Sequence, residues 1–83
     1  MRLRPAVRVA TTDYGAVALD ERTGRYYQVN STAACILDQL NKEGATVEMI
    51  AECVVAEFKV DYQQAQIDVE AYCRQLRKQG LLQ

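Results

Sequence analysis

Few residues of this 83-residue chain could do chemistry, and their types and spacing narrow the options quickly. There is no histidine, which removes the commonest general base and the commonest metal ligand. The three cysteines, Cys35, Cys53 and Cys73, are widely spaced and form no C-x-x-C pair, so a zinc site has no support. Each sits in an apolar helical context (AACIL, ECVVA, AYCRQL), where a free thiol behaves as a small buried hydrophobe. No glycine-rich phosphate loop occurs, and 11 acids against 10 bases make an ordinary surface. Catalysis is therefore the weakest reading: no catalytic residue, metal or cofactor is assigned. What stands out is an adjacent pair of tyrosines, Tyr26 and Tyr27, in the stretch GRYYQVNSTAACIL.

The elements that must position this pair are β first and α afterwards. Val7-Arg8-Val9 alternates apolar and charged residues, the period of a half-buried strand. A turn cluster over Thr11 to Gly15 leads to a second strand, Ala16 to Leu19, closed by a turn over Asp20 to Gly24. Arg25 to Val29 is the third strand, with Tyr27 and Val29 on one face and Tyr26 and Gln28 on the other. Such short connections imply an antiparallel meander.

Asn30 and Ser31 then supply N-cap oxygens for a helix whose apolar stripe is Ala34, Leu37 and Leu40, flanked by Ala33 and Ile36. Gly44 is expected to end it. Thr46 caps a second helix with apolar positions Met49, Ile50, Cys53, Val54 and Phe58. Asp61, with Gln64 three residues on, opens a third that runs to about Gln79 and stops at Gly80. Its core stripe is Tyr62, Ala65, Val69, Tyr72 or Cys73, then Leu76, and Glu70–Arg74 makes an i,i+4 pair. The fold class is α+β: a three-stranded antiparallel sheet followed by three helices, one domain over residues 1–83.

In a three-stranded meander the outer strands are edges. Arg4, Pro5 and Arg8 guard the first, while the third, from Arg25 through Tyr26-Tyr27-Gln28-Val29, carries no proline or lysine to block pairing. The third helix is its obvious neighbour and carries Ile67 and Ala71, four apart and off the core stripe. A groove between strand and helix would offer backbone hydrogen bonds on one side and apolar surface on the other, which is how peptides are captured by strand addition. The pattern alone leaves two readings of the tyrosines open: Tyr27 as core with Tyr26 an ordinary exposed sheet aromatic, or Tyr26 as a wall of this groove with Ile67 and Ala71. Asp68, Tyr72 and Gln75 follow on the adjacent stripe.

Composition sets the outer limits. With 49% hydrophobic and 25% charged residues the chain is globular, and no apolar run reaches the roughly 20 residues of a membrane span. A cytoplasmic protein is expected, because no apolar segment follows the N-terminal arginines. Two other readings compete with peptide capture. Gln63, Gln64 and Gln66 at the start of the third helix could read adenine edges in DNA, but Asp61 and Asp68 flank them and the net charge is −1. The open edge could alternatively pair with a second copy of the chain.

The run Tyr27-Gln28-Val29-Asn30-Ser31-Thr32-Ala33-Ala34-Cys35-Ile36-Leu37 resembles the Y-x-L-N-x-x-A-A-x-I-L/W segment of the PqqD-like family, with Val29 in place of the usual leucine. The order of elements and the closing pair Leu81-Leu82 fit the same family across nearly the whole chain. The resemblance implies a winged helix-turn-helix-like recognition element for ribosomally made, modified peptides. Such an element binds the precursor's leader as an antiparallel strand on strand 3, clamped by helix 3, and is not itself a catalyst. It further implies service to a lasso peptide pathway, where a leader peptidase and an ATP-dependent cyclase would be partners, with no nucleic acid or membrane involved. The alternative within the family is the peptide chaperone of pyrroloquinoline quinone biosynthesis. The peptide-binding residues it implies are Arg25, Tyr26, Tyr27, Gln28 and Val29 on the strand and Ile67, Asp68, Ala71, Tyr72 and Gln75 on the helix.

Overall fold

Only Asp13 and Tyr14 separate β1 (Val7–Thr12) from β2 (Gly15–Asp20), so both strands run longer than their alternation predicts. Gly15 makes this possible. Its φ is +152°, and a β-carbon there would lie 2.0 Å from the carbonyl oxygen of Val29. No other residue fits where the hairpin passes under the end of β3 (Arg25–Val29). In the computed structural model, which describes residues 1–42 and 44–83, the strands form one antiparallel sheet in the order β1-β2-β3. Val7 pairs with Asp20 and Asp20 with Arg25; Ala18 lies between Val9 and Tyr27.

These pairings place Val7, Val9, Ala16, Ala18, Tyr27 and Val29 on one face, and the helices cover it. Ala16 and Ala18 are small and fully buried, which lets α1 (Ser31–Leu40) lie close against β2. Asn30 caps α1 as expected, its side chain accepting a 2.9 Å hydrogen bond from the amide of Ala33. The helix ends at Leu40, short of Gly44: Asn41 closes it in a right-handed conformation, and Gly44 (φ +80°) belongs to the following turn. Thr46 caps α2 (Val47–Phe58), which stops where Lys59 turns left-handed. Ile50, Ala51 and Val54 are its buried residues, whereas Met49, expected on the core stripe, is exposed.

Asp61 caps α3 (Tyr62–Lys78) through the amide of Gln64. The buried stripe is Ala65, Val69, Cys73 and Leu76. Cys73 rather than Tyr72 therefore takes the core position, and Tyr62 lies largely outside it. The expected Glu70–Arg74 pair does not form; on this helix the Gln64 amide donates to Asp68 instead, at 2.9 Å. A Schellman cap at Gly80 turns the chain, with Leu81 donating back to the Leu76 carbonyl. Leu82 then bridges to Leu3, so the two chain ends close the bottom of the core together. The result is a winged helix-turn-helix-like α+β fold in which α3 packs on α2 rather than on the sheet.

Candidate functional site

β3 pairs with β2 along one side only, and among the described residues no strand meets its other side. Its outward N–H and C=O groups are a template for another chain. Beside the end of this edge, between residues of α1 and α3, lies a cleft of about 330 Å³, lined by Gln28, Val29, Asn30, Thr32, Ala33, Ile36, Asp68 and Tyr72. Local sequence explains each wall. The Asn30 cap turns the chain from strand to helix without a loop, which sets Ala33 and Ile36 directly beside Val29. On α3 the core stripe holds the helix by Ala65, Val69 and Cys73, so the neighbouring positions Asp68 and Tyr72 face sideways into the cleft.

The floor is apolar and the rim polar. Val29, Ala33, Ile36 and the ring of Tyr72 can take up an apolar side chain. Burial pushes the Tyr72 phenol up, so it stays a protonated hydrogen-bond donor at neutral pH. Asp68 is the single charged residue of the lining.

Of the residues expected on the peptide site, Gln28, Val29, Asp68 and Tyr72 are brought together here. Tyr27 packs against the core alongside Val29. Tyr26 is 73% exposed and pairs with Leu19 on the sheet face turned away from the helices, flanking the edge from outside rather than walling the cleft. Arg25 begins the strand and is exposed. Ile67, Ala71 and Gln75 are exposed and lie outside the cleft lining; Ile67 points nearly opposite the core stripe of α3. Sequence reasoning missed the contribution of α1. Its signal was available in the immediate strand-to-helix junction, which must place the first turn beside the strand end.

The thiols follow the apolar expectation in part. Cys73 is buried, while Cys35 and Cys53 are half-buried. Burial pushes the Cys35 and Cys73 thiols up, which keeps them protonated and poorly nucleophilic. Cys35 borders a second cleft of about 420 Å³ on the other side of α1, whose lining includes Asp13, Asp38 and Glu57. That cleft has no β3 edge beside it. Among the described residues no cluster could hold a metal ion, and no helix is long and apolar enough to cross a membrane.

Residues 15–82 match the family described as coenzyme PQQ synthesis protein D (PqqD). Two solved structures share the fold over nearly their whole length. A lasso peptide synthetase B1, complexed with the leader peptide, is 40% identical, with a TM-score of 0.80 over 96% of this chain and 93% of its own. TbiB1, in complex with the TbiA(beta) leader peptide, is 30% identical, with a TM-score of 0.87 over 100% of this chain and 95% of its own. No curated protein matches.

Proposed function

This chain belongs to the PqqD family, and we propose that it binds the leader region of a ribosomally made precursor peptide, as a strand added to β3 against α3. The open edge of β3 beside a partly apolar cleft carries this reading, since backbone groups supply sequence-independent hydrogen bonds and the cleft takes a side chain. Its two structural relatives, both solved with leader peptides, support the same class of ligand and the lasso peptide setting over cofactor biosynthesis. The DNA-binding alternative is not favoured. Gln64 is committed to the Asp61 cap and to Asp68, and these two acids flank the N-terminal part of α3, where phosphate contacts need cations.

In this reading the protein is a binding partner, not a catalyst. It presents the captured precursor to a leader peptidase and an ATP-dependent cyclase in the cytoplasm. Calorimetry against the synthetic leader of the precursor encoded nearest to this chain's gene tests the proposal. Binding in the nanomolar to low-micromolar range with a negative heat-capacity change is expected. Absence of binding both by calorimetry and by fluorescence polarisation overturns it.

A further inference from the structure

Strand addition leaves one problem unsolved. Backbone hydrogen bonds are the same in every register, and a slip of two residues keeps the same side chains facing inward. Something in the groove must therefore fix direction and register. We propose that its two ends read opposite charges on the bound peptide: a lysine or arginine beside Asp68 and, four residues towards the peptide's C-terminus, an aspartate or glutamate beside Arg25. This inference rests on the strand-addition reading and adds the charge pattern of the ligand.

The two charges stand at opposite ends of β3. Asp68 shares the cleft with Val29, the last residue of the strand. One of its carboxylate oxygens accepts from Gln64, and the other has no hydrogen-bond donor among the described residues. Arg25 is the first residue of the strand, about 13 Å from Val29 at the rise of an extended chain. The nearest acid by register, Asp20, is already taken: Arg22 donates to both of its oxygens, at 3.2 and 3.1 Å. No carboxylate lies within ion-pair distance of Arg25 among the described residues.

Parity puts both charges on the same face. Arg25 and Val29 are four apart on one strand, and both lie on the side of the sheet that the helices cover. An added strand would thus meet both with inward residues, also four apart. The strand-addition reading takes the newcomer as antiparallel, like the pairings already in the sheet. An antiparallel newcomer runs from the Val29 end to the Arg25 end, so its basic residue precedes its acidic one. Reversing the peptide would set like charges together, and slipping it by two would take both of its charges away from their partners.

Selection from an mRNA-displayed library of short random peptides tests this, using the wild-type protein and an Asp68→Lys/Arg25→Glu double variant. Both positions are exposed, so the variant should fold, which circular dichroism checks. The expected result is enrichment of a basic residue followed by an acidic one four positions later on the wild type, and of the reverse order on the double variant. Wild-type selections should also bind each single reversal about fivefold or more weakly at low salt. Recovery of tight binders with no such pattern, or with the same pattern on both proteins, overturns the charge reading and leaves peptide capture standing. Recovery of no binder from either protein overturns both.

Discussion

The guanidinium of Arg22 donates to the carbonyl of Gly80 at 2.8 Å and so ties the β2–β3 turn to the end of α3. The same side chain forks onto the buried carboxylate of Asp20, which also accepts from the Arg22 backbone amide at 3.0 Å. Together these bonds hold the turn from which β3 starts against the C-terminal end of α3. A carboxylate with 1% exposure is tolerable only because these donors surround it.

The pH dependence of stability should carry this signature. Hydrogen bonding to Arg22 holds the Asp20 carboxyl below its ordinary value, so on acidification the unfolded chain takes up the proton first. The contribution is fully present above the unfolded value of about 3.9 and is lost as pH falls through the lower folded value. Urea unfolding of wild type and Asp20→Asn between neutral and pH 3 should show the variant less stable at neutrality, with the gap closing in acid. A gap that stays constant would mean that the carboxylate charge contributes nothing.

Gly15→Ala should be among the most damaging single changes in the sheet. The new methyl meets the Val29 carbonyl at 2.0 Å, and the backbone angle is one that L-residues avoid. A loss of about 2–4 kcal/mol is expected, against about 1 for Gly24→Ala, where the angle is also positive but nothing lies within 4 Å. Thermal unfolding of the two variants side by side decides the matter. Equal losses would place the cost in backbone angle alone.

Backbone N-methylation walked along a bound leader should alternate in effect. Only every second amide of an added strand points at β3, so alternate positions should abolish binding and the rest should tolerate the methyl. Uniform tolerance would rule out strand addition.

Three substitutions on α3 separate folding from binding. Tyr72→Ala removes an aromatic wall of the cleft and should weaken leader binding by about 1.5–3 kcal/mol while the domain stays folded. Ile67→Ala should change affinity little, because that side chain is 59% exposed and outside the cleft. Val69→Asp buries an unpaired charge in the core and should unfold the domain. If Ile67→Ala weakens binding more than Tyr72→Ala, the peptide lies along the outer face of α3 instead.

The element order, the three helix caps and the open third strand were legible in the sequence because each is set by local chemistry. Asn30, Thr46 and Asp61 accept from amides three residues ahead, and alternation along Arg25–Val29 divides inward from outward side chains whatever packs above. Tertiary structure decided which near-equivalent helix positions are core and which are cleft. Tyr72 and Cys73 are 100° apart on the helix and both suit an apolar stripe, so only the docking of α3 on α2 turns Cys73 inward and Tyr72 to the cleft lining. For the same reason Ile67 fell outside the cleft: periodicity gives angles around a helix axis, but not the direction in which a neighbouring strand lies. The Arg22–Gly80 tie spans 58 positions of sequence, a distance over which no local pattern operates, and it exists only once the folded core has brought the turn and the helix end together.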